Sequence, residues 1–241
     1  MIKNLKYIRR DTTKWSIFLL TIVLFIALPT VVIFLNLFKG AGESWEHLIN
    51  TLLPNYLLNS LWLILGTSIL TLLFGISSAW LTSRYHIPFS KSLEWLLILP
   101  LAIPSYITAY AYAGIFDYES LVSNLLGFKI DIMNHYGLIF ILSLSLYPYV
   151  YVASRAFFLN QSNTLIEASK ILGVNEIKTF FRLMLPLARP AFIGGLILVL
   201  MEVLNDYGAA KYYGINTFTT GIFRAWFSLE EPETAIFYQQ F

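Results

Sequence analysis

The sequence predicts an all-α membrane protein, and three observations lead to that class. Hydrophobic residues make up 57% of the 241 residues and charged residues only 12%, whereas a soluble domain is about a quarter charged. The mean hydropathy is +0.67. Long apolar runs occupy residues 15–38, 57–81, 93–116, 137–158 and about 190–207. Little sequence is left for a water-soluble catalytic domain, so we expect a function in or across the bilayer.

Each apolar run is expected to be a helix, because backbone groups inside about 30 Å of hydrocarbon must bond to one another. The runs also lack the apolar/polar alternation of a membrane-spanning strand. The first run follows a basic segment, residues 1–14, but it is longer than the apolar core of a secretion signal, so we predict a retained helix. The apolar stretch at 235–241 resembles the beginning of a sixth span. We therefore expect one transmembrane domain over residues 1–241, truncated within its sixth helix.

The distribution of Lys and Arg predicts the orientation in the membrane. Five lie in the N-terminal segment, two between the second and third runs and five between the fourth and fifth, whereas the alternate connections hold four. Because cytoplasmic loops are enriched in Lys and Arg, the N-terminus is predicted to be cytoplasmic. The net charge of only +2 argues against a nucleic-acid partner. Cysteine is absent, which excludes disulfides, thiol nucleophiles and Cys-ligated metals.

The longest polar interruption on the predicted cytoplasmic side is the segment 160–189, and its pattern predicts two short amphipathic helices. The first is expected to end at Gly173, where a helix commonly adopts a left-handed residue. The second is expected to begin near Asn175 and to be interrupted at Pro186. Their predicted helix faces are formed by Leu165, Ser169 and Leu172, and by Ile177, Phe180, Phe181 and Met184. Such a helix pair is expected to bind a partner.

Within this segment, Glu167-Ala168-Ser169, then Gly173, and later Leu183, Leu185 and Pro186 resemble the EAA loop of ATP-binding-cassette (ABC) importer permeases. The pattern departs from that loop at Ser169, where Ala is usual, and at Leu183, where Ile is common. The resemblance implies the type I ABC importer permease fold, in which this loop is a coupling helix docked on a cytoplasmic ATPase. Glu167 would then make a polar contact, Gly173 a bend and Pro186 the boundary with the next helix. Alternatively, the Glu, Gly and Pro only cap and stop helices, as any helix-turn-helix loop requires.

Three further segments, 99–106, 146–151 and 205–226, are similar to iron(III) importer permeases, so the resemblance covers most of the chain from the third run onward. It implies ferric iron as cargo, delivered by a periplasmic binding protein through a multi-pass protein of the bacterial inner membrane. The implied partners are an ABC ATPase dimer, which would hold ATP and Mg²⁺, and a second permease half or subunit. Members commonly carry two fused halves, and this chain is expected to be an N-terminal half. The same architecture with thiamine, a phosphonate, sulfate or molybdate as cargo stays open.

Polar residues inside the apolar runs are the candidates for a translocation pathway. Glu202 and Asp206 are four residues apart and are expected to share one helix face, and an acid within a span is costly enough to indicate function. Asp206 alternatively ends the helix at the outer interface. Pro104 and Pro148 are expected to mark kinks, either near the pathway or from ordinary helix packing. An ion-coupled secondary transporter would also account for the two acids.

Several kinds of chemistry are disfavoured by the sequence. No GxxxxGK[ST] run is present, so ATP hydrolysis is expected on a separate chain, and this chain is expected to be neither an enzyme nor a holder of a cofactor. His47, His86 and His135 lie in separate loops without a metal-ligand spacing, so no metal site is predicted. A membrane-embedded enzyme is the weakest alternative, because no convergent catalytic cluster occurs at helical spacing.

Overall fold

The described part of the chain is built of helices and contains no strand. The computed structural model describes residues 14–36, 51–85, 88–116, 131–161 and 163–228. Its helices are α1 (Lys14–Asn36), α2 (Leu53–Arg84), α3 (Ser90–Ile98), α4 (Ser105–Ile115), α5 (His135–Asn160), α6 (Asn163–Ile171), α7 (Glu176–Thr179), α8 (Leu185–Leu187), α9 (Arg189–Asn205), α10 (Gly208–Tyr212) and α11 (Phe218–Ser228). A 3₁₀ turn, Leu99–Ala102, follows α3, and a π-turn, Phe180–Met184, joins α7 to α8. The predicted all-α class is confirmed.

Several predictions fall on residues that the structure does not describe. They concern the basic segment before Lys14, the start of a sixth span at 235–241, and His47 and His86. The described residues divide between two compact units, 1–50 with 222–241 and 51–221. In the first unit, α1 is apolar throughout and its described side chains are almost all exposed. A helix that is apolar all round is typical of a membrane span.

Three of the predicted spans are long continuous helices. Residues 15–32 of α1, all of α2 and all of α5 are long and apolar enough to cross a membrane. In α2 and α5 the helices extend a few residues beyond the predicted runs at both ends. Pro148 lies inside α5 and is buried, and the helix continues through it to Asn160.

The predicted third span, 93–116, is not one continuous helix. The segments Ser90–Ala102 and Ser105–Ile115 meet at an angle of 101°. The break falls at Ile103, which is extended (φ −107°, ψ 120°), and at Pro104. A residue before proline is pushed out of the helical region, and the proline itself lacks the N–H that would continue the helix. The kink predicted at Pro104 is therefore confirmed as a full break.

The predicted fifth span is also part of a bent pair. Helix α9 follows the segment Glu176–Leu187 at an angle of 68°. Counted with each bent pair as one span, the described residues hold up to five candidate spans, the number predicted from the apolar runs. Helix α9 ends at Asn205, so Asp206 lies beyond it as the C-cap residue in an extended conformation. The prediction that Glu202 and Asp206 share one helix face is therefore wrong.

The core of the larger unit is formed where α2, α5 and α9 pack together. Helix α5 lies at the centre, and 72% of its apolar membrane-spanning stretch is buried. The core includes Leu63 of α2, Ile141 of α5 and Val199 of α9. The backbones approach closely at glycine: a Cβ placed on Gly195 of α9 would lie 2.8 Å from the carbonyl oxygen of Tyr149 in α5. Small residues at helix crossings are typical of membrane proteins, where packing drives association.

Candidate functional site

The segment 160–189, called the coupling loop below, begins with helix α6 and a left-handed turn. Gly173 has φ +69°, as predicted for a helix end. The N–H of Gly173 donates to the Lys170 carbonyl at 2.9 Å, and the N–H of Val174 donates to the Ser169 carbonyl at 2.9 Å. This pair of bonds is the Schellman motif, which satisfies the last carbonyls of a helix and reverses the chain direction. Gly173 therefore forms the bend that was predicted at this position.

The two helices of the coupling loop are joined by a buried pair of hydroxyl groups. Ser169 and Thr179 are both buried, and their hydroxyl oxygens lie 3.0 Å apart in a hydrogen bond. The Ser169 hydroxyl oxygen also lies 2.7 Å from the Ile166 carbonyl oxygen, and the Thr179 hydroxyl oxygen lies 3.2 Å from the Asn175 carbonyl oxygen. Because each hydroxyl has one proton, one of them donates to its carbonyl and the other donates to the first hydroxyl. An alanine at position 169 would leave the Thr179 hydroxyl without this partner. The departure from the usual Ala thus has a structural role.

A second connection ties the loop to the end of α2. The Glu176 carboxylate forms an ion pair with Lys170 at 3.0 Å and accepts a hydrogen bond of 3.1 Å from the Tyr85 hydroxyl. That hydrogen bond raises the pKa of Tyr85, because losing the proton would place two negative charges together. Glu176 was not among the predicted site residues. Its partner Tyr85 is 91 residues away, so no local pattern could have identified the contact.

The second helix of the loop does not stop at Pro186, which corrects the prediction. A π-turn, Phe180–Met184, precedes the proline, and the Leu185 N–H bonds to the Phe180 carbonyl. The Ala188 N–H then donates to the Met184 carbonyl at 2.9 Å, so the chain stays helical past the proline. The bend falls at Ala188, between Leu187 and Arg189. A wide turn accommodates a proline because it shifts the backbone bonds that the ring would otherwise break.

The inner face of the loop is anchored in a second buried cluster. Ile166, Met184 and Ala188 pack with residues of α2 and α5, including Ala79 and Tyr151. Aromatic rings extend this contact: the Trp80 ring centroid lies 5.3 Å from that of Phe158 and 5.0 Å from that of Phe180. Leu183, Leu185 and Pro186 are half-buried at the same junction. A displacement of the loop would therefore act directly on α2, α5 and α9.

The outer face of the loop is apolar and exposed. Ile171 is 86% exposed and Leu172 is 80% exposed at the turn, and Ile177 at the start of the second helix is also exposed. The predicted face of Leu165, Ser169 and Leu172 is wrong, because Ser169 is buried and the two leucines are exposed. The predicted face of the second helix is also divided, because Met184 is buried whereas Ile177 and Phe181 are exposed. Large exposed apolar side chains outside a lipid environment mark a surface that binds another protein.

Glu167 and Ala168 lie on this exposed side of α6. Glu167 is the fifth residue of a helix that begins at Asn163. The predicted capping partner, Thr164, has no described side chain. The alternative that Glu167 only caps its own helix therefore stays a prediction.

Asp206 joins three helices at the other end of α9. Its carboxylate accepts a hydrogen bond from the hydroxyl of Ser105, the first residue of α4. It also accepts one of 3.0 Å from the backbone N–H of Ala210 in α10. The carbonyl oxygen of Pro104, directly before α4, accepts hydrogen bonds from the backbone N–H groups of Ile107 and Thr108 at 3.0 and 3.2 Å. Asp206 thus ends one helix and orients two others, which favours the interpretation as a helix end.

Glu202 remains the pathway candidate whose side chain is exposed. It lies on α9, and its carboxylate accepts a hydrogen bond of 3.4 Å from the Tyr149 hydroxyl of α5. The other two candidates, Pro104 and Pro148, lie at a helix break and in the buried core respectively. In the described residues no three His, Asp or Glu side chains are grouped so as to hold a metal ion. His135 instead lies 3.2 Å from the Asn59 side-chain oxygen.

Fold and loop together define a helical membrane protein that carries an amphipathic helix pair at one end of its core. Residues 71–229 match the family described as the binding-protein-dependent transport system inner membrane component. Because the match covers more than half of the chain, this chain belongs to that family. The resemblance found in the sequence is thereby confirmed.

Curated relatives are permease proteins of several transport systems. The Fe(3+)-transport system permease protein FbpB 2 of Haemophilus influenzae is 26% identical over 84% of this chain and 38% of its own length. The spermidine/putrescine permease protein PotB of the same organism is 29% identical over 71% and 63%. The sulfate permease protein CysT of Escherichia coli is 25% identical over 82% and 73%. The chain thus spans less than two thirds of the length of the first two relatives.

The fold is also that of a solved transporter. A chain in the crystal structure of a bacterial alginate ABC transporter, in complex with a periplasmic protein bound to an alginate pentasaccharide, superposes with a TM-score of 0.74. The match covers 98% of this chain and 90% of that chain at 19% identity. At this identity the likeness establishes the fold alone.

Proposed function

We propose that this chain is the transmembrane permease subunit of an ABC importer in a bacterial inner membrane, with its N-terminus in the cytoplasm. A separate ATPase dimer drives transport, and ATP and Mg²⁺ bind there. A periplasmic binding protein delivers the substrate, and a second permease half completes the pathway. The single observation that carries the proposal is the coupling loop, which is rigid, anchored in the core and apolar on its exposed face. Membership of the binding-protein-dependent family supports the same assignment.

The loop acts as a lever because it is stiff in itself and fixed to the spanning helices. Its stiffness comes from the Schellman turn at Gly173, the Ser169–Thr179 hydrogen bond and the Lys170–Glu176 ion pair. Ile171 and Leu172 enter a groove on the ATPase, and Glu167 makes a polar contact there. Closure of the ATPase subunits on ATP pushes the loop, and α9 follows through Ala188. The spanning helices then alternate between inward-facing and outward-facing arrangements.

Ferric iron is the proposed cargo. The iron-transport relative, which aligns over 84% of this chain, supports that choice, and Glu202 places an exposed carboxylate on a spanning helix. Carboxylate oxygens attract a hard cation, yet a single acid releases it readily, as a transport path requires. Sulfate and molybdate stay as alternatives within the same architecture, since relatives for these anions align with similar identity.

The docking of Glu167 is tested by co-purifying the chain with its ATPase. Glu167→Lys should lower recovery of the ATPase severalfold, because it reverses a charge at the centre of the proposed contact. Glu167→Gln keeps the size and the hydrogen-bonding oxygen and should retain most of the ATPase. Equal recovery with the wild-type chain and Glu167→Lys would remove Glu167 from the interface.

The cargo is tested by the ATPase activity of the assembled complex in vesicles. The binding protein loaded with ferric iron should stimulate hydrolysis, whereas loading with sulfate, molybdate or spermidine should not. Stimulation by one of the other cargoes alone would reassign the substrate and keep the permease function. Uptake that survives loss of the ATPase but collapses with the proton gradient would instead identify an ion-coupled secondary transporter.

A further inference from the structure

An open apolar groove of about 570 Å³ runs along the cytoplasmic half of α2, on the outside of the helix core. Its walls include Ile69, Leu73, Ile76 and Trp80 of α2, with Phe181 and Leu185 of the coupling loop. The one hydroxyl in the lining belongs to Ser77, which bonds to the Leu73 carbonyl of its own helix. Apart from the indole N–H of Trp80, the lining side chains leave no polar group for a water-soluble ligand, and a hydrocarbon chain fits this chemistry.

The length of the groove matches one leaflet of a bilayer. From Ile69 to Leu81 the helix rises about 18 Å at 1.5 Å per residue. One leaflet contributes about 15 Å of hydrocarbon, half of the membrane core. Helix α2 extends from Leu53 to Arg84, so the groove begins near its midpoint and ends at its last turn. A lipid acyl chain can thus lie along the groove over its full depth.

Three basic residues follow or flank lining residues of the groove in the sequence. Arg84 follows Trp80 by four residues and Leu81 by three, so all three share one face of α2. Lys178 and Arg182 flank Phe181, and both are exposed. Among the described residues, none of these three cations forms an ion pair. The nearby Glu176 is already bound to Lys170 and Tyr85.

We propose that this groove binds an anionic phospholipid, with an acyl chain against Trp80 and Leu73 and the phosphate at Arg84, Lys178 and Arg182. Clustered basic residues beside a membrane span attract anionic headgroups, and each contributes to the preference over a neutral lipid. A free phosphate ion would satisfy the cations and leave the apolar groove unused, so the two features together favour a lipid. The bound lipid would contact both α2 and the coupling loop, and the chemistry of the membrane would thereby influence the loop. The shape of the groove and the positions of its charges are independent of the proposed transport function. The assignment of the lipid to the cytoplasmic leaflet rests on that proposed function.

The proposal is tested by tryptophan quenching in reconstituted vesicles. One full-length variant keeps Trp80 as its sole tryptophan, with Phe at the other five positions, and a matched variant keeps only Trp62. Trp62 lies on the same helix outside the groove and is 62% exposed. The vesicles are phosphatidylcholine that contains equal small amounts of either phosphatidylglycerol or phosphatidylcholine brominated on the acyl chain. Trp80 should be quenched at a severalfold lower concentration of the brominated phosphatidylglycerol, and Trp62 equally by both lipids.

The basic residues are tested in the same assay. Arg84→Gln with Lys178→Gln should remove most of the preference at Trp80, since each substitution removes one charge that attracts the anionic headgroup. Arg189→Gln with Lys91→Gln removes the same two residue types elsewhere and should leave the preference intact. Equal quenching of Trp80 by both lipids would overturn the proposal. No quenching by either would also overturn it, because the groove would then be covered by protein, either α1 or a second copy.

A second measurement covers the case in which the tryptophan variants fail to insert. Native mass spectrometry of the chain with all its tryptophans counts phosphatidylglycerol molecules retained after release from detergent. The wild-type chain and the Arg189/Lys91 double variant should retain one more than the Arg84/Lys178 double variant. Equal retention by all three proteins would contradict the assignment.

Discussion

At the residue scale, the backbone conformation of Gly173 restricts which amino acids fit this position. Its φ of +69° lies in the left-handed region, and a Cβ added there would meet no atom within 4 Å. Substitution of Gly173 is therefore restricted by backbone conformation and not by neighbouring atoms. A side chain at this position changes the turn itself, and through it the angle between the two helices of the coupling loop.

We predict that Gly173→Val uncouples transport while the protein still inserts in the membrane. A β-branched residue in the left-handed region is strained by at least about 1–2 kcal/mol, so the Schellman turn should open. Gly173→Asn is the matched control, because Asn tolerates this conformation. Substrate-stimulated ATPase activity of the assembled complex should fall strongly for Val and survive for Asn. Normal activity of the Val variant would count against the lever.

Glu202 is the residue on which the proposed pathway depends most. Its side chain is exposed and makes one long hydrogen bond to Tyr149, so Glu202→Ala should change stability by less than about 0.5 kcal/mol. Uptake of ferric iron should nevertheless fall severalfold if the carboxylate lines the path. Tyr149→Phe removes the same hydrogen bond and keeps the carboxylate, and it should retain uptake. Wild-type uptake by Glu202→Ala would remove Glu202 from the pathway.

At the element scale, the close crossing of α5 and α9 fixes the core. We predict that Gly195→Ala lowers stability by about 1–3 kcal/mol, because the added methyl would lie 2.8 Å from backbone atoms of Tyr149 and Val150. A Cβ added at the adjacent Gly194 would meet no atom within 4 Å, so Gly194→Ala is the control and should not destabilise. Thermal unfolding in detergent should show a drop of several degrees for position 195 alone. Equal midpoints would indicate that the crossing relaxes freely.

The elements also show which features a sequence can predict. Continuous apolar runs identified α1, α2 and α5, because a span is a local property of about 20 residues. Gly173 was predicted as a left-handed helix end from its position alone. The run at 93–116 was predicted as one helix, because hydropathy does not register a bend and both halves are apolar. The sequence feature that indicated a departure from a straight helix was Pro104, at which the break occurs.

Other features depend on contacts between distant segments, and the sequence could not reveal them. Glu176 gains its role from Tyr85, 91 residues away. Asp206 was predicted either to share a helix face with Glu202 or to end the helix, and it ends the helix. Its hydrogen bond from Ser105, 101 residues away, could not be predicted. The helical course past Pro186 depends on the π-turn before it, and spacing rules assume a regular helix. Each of these differences arises where tertiary packing decides the local backbone.

At the scale of the molecule, the larger unit connects its two ends through continuous helices. One end of α2 holds the coupling loop through Tyr85 and Glu176. Near its other end, Asn59 donates to the Asn216 carbonyl at 2.8 Å, and Ser60 accepts the Phe218 N–H at 2.8 Å. A helix of 32 residues spans about 48 Å. Motion of the loop can therefore reach the far end of the unit along α2 without an intermediate flexible joint.

The central claim, a cytoplasmic loop bound by a separate ATPase, is tested most directly by cysteine labelling. Because the chain contains no cysteine, Leu172→Cys provides a single site on the exposed face of the loop, and Tyr136→Cys, 79% exposed in the native residue, marks the opposite end of α5. A membrane-impermeant maleimide should label position 172 in inside-out vesicles and position 136 in right-side-out vesicles. Added ATPase should protect position 172 alone. Labelling of position 172 from the outer side, or its full reactivity in the presence of the bound ATPase, would contradict the account.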